Sequence, residues 1–352
     1  MALLKFEGVG VRGLAGCVPK DIIDNLKYNE YFSDQEAREV TEKTGILQRR
    51  FAPPGMTASD LCYHAAEALL NDLSVERSEI ELLIFISQTP DYRMPATSVI
   101  LQHRLNLSMQ TMAFDINLGC SAFVYGLSVV FSLMEKSGLK KALILDGETR
   151  SRVYSPKDRT TAFLFGDAGV AALIERDPKY GGSYFSLNSD GSREDLIKIK
   201  AGGYRYPTSQ ETLAEQVVDE HGNIRSEEHG FMNGPDVFNF ALREVPADIQ
   251  RLSEYAGIDI RDLDYYLFHQ ANNYMNGYLI KKLKLPHDKV PSSIAKFGNT
   301  SSVSIPITIV SELKGELTDK KKVMLCGFGV GMSWATSFLE FNNCYIPDLI
   351  EI

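Results

Sequence analysis

The stretch Ile80–Ile86 is apolar at every position except Glu81. It has the length of a strand, and its residues do not alternate apolar with polar. Such a strand is buried on both faces, so its sheet needs helices on either side. A second short strand, Met112–Ile116, runs into Gly119-Cys120, and a helical pattern starts there and continues to about Ser137. Lys141–Leu145 is the next strand, with Gly147 after it. Strands alternating with helices in this way make an α/β chain.

The rest of the first half fits that frame. Leu3–Val11 is expected as one strand ending at Gly13, and 21–50 as a polar, helix-prone segment. That segment ends in Lys43-Thr-Gly-Ile-Leu-Gln-Arg49-Arg50, a cationic turn that suits a phosphate or, more plainly, a solvated loop. Thr57-Ala-Ser-Asp60 resembles a helix cap, and Leu61, Ala65, Ala66, Leu69 and Leu70 then share one helical face. A helix is expected at about 97–106. Thr161–Ile174 holds two extended pieces around Phe165-Gly-Asp-Ala-Gly169.

The second half repeats the order. Strands are expected near 183–188, at Tyr265–Phe268, at Lys322–Cys326 and at Trp334–Phe341. Helices are expected at about 235–255, kinked or split near Pro246, at 272–283 and at 303–316, where Pro306 suits the first turn. Residues 201–232 are polar and Gly-rich, a long surface excursion. Two βαβαβαββ-like halves, 1–176 and 177–352, are therefore expected, with helices layered against parallel-rich sheets.

Composition narrows the function classes. A chain of 352 residues with 44% hydrophobic and 24% charged residues can bury a large core without a metal or disulfide staple. The net charge of −9 argues against nucleic acid as the main partner. The five cysteines, Cys17, Cys62, Cys120, Cys326 and Cys344, are scattered and form no C-x-x-C pair. They read as reduced thiols, with neither disulfides nor a zinc site, and as cytoplasmic. Neither a signal-peptide layout nor a membrane-length apolar run is present in the sequence.

Three residues stand at element boundaries. Cys120 follows a strand and precedes a helix, where free N–H groups and the helix dipole favour the thiolate. His269 follows the strand Tyr265–Phe268, and Asn299 sits in Gly298-Asn-Thr300 before a helix. Each has a plainer reading: a buried structural Cys, a satisfied His, a Gly-Asn turn. Together, in a repeated fold, they suggest a site at the carboxyl ends of strands. A Cys, a His 149 residues later and then an Asn also fits a papain-like protease, but that family's Cys-Gly-Ser-Cys-Trp context is absent.

Gly119-Cys120-Ser-Ala-Phe-Val-Tyr-Gly-Leu, His269-Gln-Ala-Asn272, Gly298-Asn299-Thr-Ser-Ser and Gly327-Phe-Gly-Val-Gly-Met-Ser-Trp334 together resemble the β-ketoacyl-acyl-carrier-protein synthase III family of the thiolase superfamily. Lys43-Thr-Gly-Ile, Phe165-Gly-Asp-Ala-Gly and Ser189-Asp-Gly fit it too. The resemblance implies a thiolase-like αβαβα sandwich and a cofactor-free homodimer. It implies acylation of Cys120 by a thioester primer on coenzyme A or a carrier protein, then condensation with malonyl-acyl carrier protein. By the same resemblance the backbone N–H groups of Cys120 and Val330 form an oxyanion hole, and His269 and Asn299 hold the enolate. Phe328 walls the acyl pocket, and Met94 reaches a neighbour's pocket or belongs to the core.

The match has gaps. The family's adenine-stacking Trp is absent, and Glu39 takes its place near Lys43; Arg159 remains as a nucleotide contact. Tyr274 stands where the family has a carrier-docking Arg, leaving Lys281 and Lys282 as cations on that helix, with Lys284 just beyond it. An acyltransferase that passes the Cys120-bound acyl group to an amine, alcohol or sugar is thus an alternative. So is a non-catalytic partner subunit, although such subunits typically lose the nucleophile.

Overall fold

A computed structural model describes residues 2–28 and 30–352. Its two large sheets use β1 (Ala2–Phe6), β2 (Val9–Val18), β3 (Leu82–Ile86), β4 (Met112–Ile116), β5 (Lys141–Thr149) and β6 (Asp167–Arg176). From the second half come β7 (Ser183–Ser189), β8 (Tyr265–Phe268), β9 (Lys321–Gly329), β10 (Ser333–Phe341) and β11 (Ile350–Glu351). The main helices are α1 (Asp34–Thr44), α2 (Ala58–Asp72), α3 (Thr97–Arg104), α4 (Ala122–Ser137), α5 (Gly234–Ala256), α6 (Asn273–Leu283) and α7 (Ser304–Glu312).

The fully buried β3 sets the layering. Its Leu82, Ile84 and Ile86 pack inward with Leu127 and Val130 of α4, while Leu83 and Phe85 pack outward with α2 and with Leu101 of α3. That is the two-residue period of a strand covered on both faces. The second sheet repeats it. Val323 and Leu325 of β9 join the central cluster with Ile305 and Ile309 of α7, and Met324 and Cys326 face Phe240 of α5 and Leu279 of α6. The result is the expected five-layered αβαβα sandwich, with α4 and α7 in the middle. Among the described residues no helix is long and apolar enough to cross a membrane.

The sheets show where the repeat holds and where it lapses. The first is ordered β11-β2-β6-β5-β3-β4 and the second β1-β7-β10-β9-β8. Aligning β2, β3, β5 and β6 with β7, β8, β9 and β10 leaves β4 without a counterpart. There the second half has short helical turns at His287–Lys289 and Ile294–Phe297. Pro291 lies between them and has no N–H to give a ladder. The expected division at 176/177 lies in the β6–β7 connection, yet the halves exchange edges. β1 pairs antiparallel with β7, and β11 pairs parallel with β2.

Four expectations need correction. Leu3–Val11 is not one strand, because the chain turns at Gly8 (φ +69°) and β1 and β2 enter different sheets. Among the described residues of 21–50 only α1 is a regular helix, opened by a Ser33/Glu36 capping box, and Ile22–Asp24 pairs with Gln48–Arg50. Thr161–Ile174 yields one strand, β6, since residues 161–164 form turns. Helix α5 is not split at Pro246 but runs through it for 23 residues, with Val245 and Ile249 buried on either side. Packing of that face outweighs the lost hydrogen bond.

The 201–232 excursion is an ordered flap. At its base Ile197–Lys198 pairs with Phe231–Met232, and farther out Gln216–Val217 pairs with Ile224–Arg225. An Arg225–Asp158 ion pair of 2.9 Å ties it to the first half.

Candidate active site

Strand β4 ends at Ile116, the chain turns through Gly119, and Cys120 and Ser121 precede α4. The nucleophile candidate therefore stands at a strand-to-helix corner, one residue before the N-cap. Strand β9 ends across from it. A Cβ at Gly329 would lie 2.6 Å from Cys120 Sγ, and one at Gly327 would lie 2.7 Å from the Cys120 carbonyl oxygen. Only glycine lets that backbone come so close.

This packing sets the electrostatics. Burial pushes the Cys120 thiol up, but His269, by charge and hydrogen bond, the Arg150 charge and the Val330 N–H outweigh it and bring the thiol down to about 7. The other four cysteines are buried and move the opposite way. Burial raises Cys17 and Cys344 to about 12 and lifts Cys62 and Cys326 as well. The chain thus has one thiol poised as a nucleophile near neutral pH.

His269 continues the parallel ladder beyond β8, its N–H donating to the Cys326 carbonyl at 2.8 Å. Its Nδ1 lies 2.7 Å from Ser304 Oγ, and its ring meets that of Phe328 edge to face at 5.6 Å. Asn299 comes from the connection between α6 and α7. Its backbone is held by the 164–166 segment, donating to the Leu164 carbonyl and accepting from the Gly166 N–H. Its Oδ1 accepts from the Ser301 N–H at 2.9 Å, which leaves the amide NH2 as the donor end.

Cys120, His269, Asn299, Phe328 and Val330 line one small cavity of about 70 Å3. Ile197 and Met232, at the base of the flap, line it too. Arg150 and Tyr154 line it as well. Sequence reasoning missed both, because it ended the strand at Leu145, whereas β5 continues to Thr149 and delivers Arg150 at its carboxyl end. The signal was the rule that sites gather at such ends.

A wider mouth of about 530 Å3 opens beside this cavity, lined by Glu39, Lys43, Arg159, Phe238 and Tyr274. Phe238 and Tyr274 stack at 5.3 Å, and Arg159 pairs with Glu36 at 2.9 Å. Lys43 Nζ lies 6.0 Å from the Tyr274 ring. Lys281 and Lys282 lie near the end of α6, exposed, and Lys282 donates to the Leu242 carbonyl. Two members of the cationic turn are not ligand contacts. Arg49 is buried on carbonyl oxygens and Asn25, and Arg50 pairs with Glu351 at 2.8 Å. Met94 is neither core nor part of its own chain's cavity, being 80% exposed.

The site supplies a thiolate, an imidazole, an amide donor and close-packed backbone N–H groups. These serve acyl transfer through a covalent intermediate. The models for 3-oxoacyl-[acyl-carrier-protein] synthase III match residues 114–191, and for its C-terminal part residues 253–341. The β-ketoacyl-[acyl-carrier-protein] synthase III of Clostridioides difficile is 34% identical, covering 95% of this chain and 98% of its own. That of Caldanaerobacter subterraneus is 33% identical, over 95% and 98%. The crystal structure of a 3-oxoacyl-(acyl-carrier protein) synthase from Burkholderia xenovorans superposes with a TM-score of 0.93 at 38% identity, covering 100% of this chain and 99% of that one.

Proposed function

The chain belongs to the β-ketoacyl-[acyl-carrier-protein] synthase III family, and from that premise we infer that Cys120, His269 and Asn299 are its catalytic residues. The enzyme is an acyltransferase that condenses an acyl thioester primer with malonyl-acyl carrier protein, releasing carbon dioxide and giving a 3-oxoacyl thioester. The observation that carries the assignment of residues is the lowered Cys120 thiol in one cavity with His269 and Asn299.

The chemistry divides into two half-reactions. The Cys120 thiolate attacks the primer carbonyl, a sulfur–carbon bond forms, the primer's own thioester bond breaks, and its sulfur leaves as a thiolate that takes a proton from solvent. The N–H groups of Cys120 and Val330 would carry the oxyanion, and Phe328 would wall the acyl group. The malonyl thioester then loses carbon dioxide. His269 and Asn299 donate to the enolate oxygen, and the enolate carbon attacks the acyl-Cys120 carbonyl, returning the thiolate. A preorganised donor of this kind is worth roughly 10²–10³ in rate.

Lys43 and Arg159 in the mouth suit the phosphates of a coenzyme A or phosphopantetheine arm, and the Phe238–Tyr274 stack offers the aromatic face that Glu39 lacks. Lys281 and Lys282 are the cations we assign to carrier docking. The exposed Tyr92, Met94 and Met109 support a homodimer in which Met94 meets the partner's acyl pocket; sedimentation as a monomer would oppose that assignment.

Mass spectrometry of the acyl-enzyme, with carbon dioxide release, tests the assignment. Cys120→Ala should form no adduct, and His269→Ala should still acylate, more slowly near neutral pH because its thiol is raised, yet fail to decarboxylate. Equal loss of both half-reactions in His269→Ala would remove the division of labour.

A further inference from the structure

Three cavities follow one another through the site. The mouth shares Leu164, Met232 and Met275 with the cavity at Cys120. That cavity in turn shares Arg150, Tyr154, Ile197 and Val330 with a third, of about 260 Å3. The mouth and the third cavity have no lining residue in common. A thioester entering by the mouth leaves its thiol there. Its acyl tail must then point past Cys120 toward Arg150 and the third cavity.

An alkyl tail is poorly matched to what it would meet. The Arg150 side chain is only 6% exposed. Its Nη2 donates to the Tyr154 hydroxyl at 3.1 Å, and its Nη1 reaches only Gln88 Oε1 at 3.4 Å. Its Nε has no acceptor among the described residues. Glu148 stands 4.0 Å away and already accepts from the Gln88 N–H and the Thr89 hydroxyl. A buried guanidinium with unmatched donors is costly unless something accepts from it.

Favouring the Cys120 thiolate is one use for this charge, but it ends at acylation, when the sulfur becomes a neutral thioester. The polar lining also continues away from the sulfur, through Gln88, Asn117 and Lys198. Resting on the condensation reading above, we propose that the primer is a short acyl group bearing a hydroxyl or carboxylate oxygen beyond its thioester carbonyl. Arg150 and Tyr154 hold that oxygen, and unsubstituted alkanoyl primers are the poorer substrates.

The test compares butyryl, 3-hydroxybutyryl and succinyl primers, each on coenzyme A and on acyl carrier protein, with the full-length enzyme. Acyl-Cys120 is followed by intact mass. At least one oxygen-bearing primer should exceed butyryl tenfold or more in kcat/KM. Preference for succinyl would identify a carboxylate, and preference for 3-hydroxybutyryl a neutral oxygen. Arg150→Leu should bring the ratio to about one, with Arg150→Lys in between. A role confined to the thiolate would slow all primers alike and leave the ratio unchanged. Butyryl as fast as both others in the wild-type enzyme overturns the proposal, and that measurement needs no variant to fold. Adducts with carbon dioxide release but an alkanoyl preference would sink this proposal alone. No Cys120 adduct from any primer would sink the condensation reading and this proposal with it.

Discussion

The Nδ1 atom of His269 and the hydroxyl of Ser304 lie 2.7 Å apart, so the other ring nitrogen is the one left for Cys120 and substrate. If the Ser304 hydroxyl donates to Nδ1, the ring proton sits on Nε2, the tautomer that can donate to an enolate. Ser304→Ala should therefore slow malonyl decarboxylation by about 10-fold or more while acylation of Cys120 changes little. The split is the diagnostic, because general loosening of the fold would slow both. Stopped-flow acylation and carbon dioxide release measure the two separately.

Cys120 should react as a thiolate over an unusual pH range. With the thiol at about 7, the thiolate fraction is about one tenth at pH 6 and about nine tenths at pH 8. Iodoacetamide labelling should therefore rise with pH through a midpoint near 7, with Cys17, Cys62, Cys326 and Cys344 unlabelled in the native state. His269→Ala removes the largest influence lowering the thiol and should move the midpoint upward. A wild-type midpoint in the ordinary thiol range of about 8.5 would contradict the electrostatics described.

The layered fold was legible in the sequence because β3 could only be a strand covered on both faces, and because Cys120, His269 and Asn299 fall at element boundaries. What was not legible depends on pairing across the chain. Nothing local says that β1 and β2 part into different sheets at Gly8, or that β4 has no counterpart in the second half. Arg49 and Arg50 read as a cationic surface since sequence shows their charge but not the carbonyls that bury them. Arg150 is hidden for the converse reason: the apolar run that marks its strand ends at Leu145, while the strand itself continues to Thr149.

Glycine spacing gives a matched pair of variants. A Cβ at Gly329 would sit 2.6 Å from Cys120 Sγ, whereas one at Gly277, on α6, meets nothing within 4 Å. Gly329→Ala should cut acylation by about 10²-fold or more, since an ångström of misplacement costs that much. Gly277→Ala should leave activity intact and raise stability by about 0.5–1 kcal/mol through helix propensity and a stiffer unfolded chain. Thermal unfolding and acylation rates on both variants check the pair. Comparable activity in the two would mean that the β9 backbone yields easily at the nucleophile.

Arg49 ties the Asn299 loop to the first half. It is 1% exposed, and its Nε donates to Asn25 Oδ1 at 2.7 Å and its Nη1 to the Ala162 carbonyl at 2.7 Å. The same Nη1 reaches the Phe165 carbonyl at 3.3 Å, and Phe165 is bridged to Asn299. The guanidinium also lies 4.7 Å from the Tyr28 ring centroid and 4.8 Å from that of Phe51. Arg49→Met keeps most of the volume but orphans these buried acceptors, at about 1–3 kcal/mol for each group left unsatisfied. We expect a loss of about 2–4 kcal/mol in urea unfolding, since part of the removed desolvation cost is returned. The Asn299 amide would then be less well placed, so decarboxylation should fall more than acylation. Arg49→Lys keeps the charge but loses the forked geometry, and should recover less than half of the stability. Full recovery by lysine would show that charge alone, and not the bridge to the Asn299 loop, is what Arg49 provides.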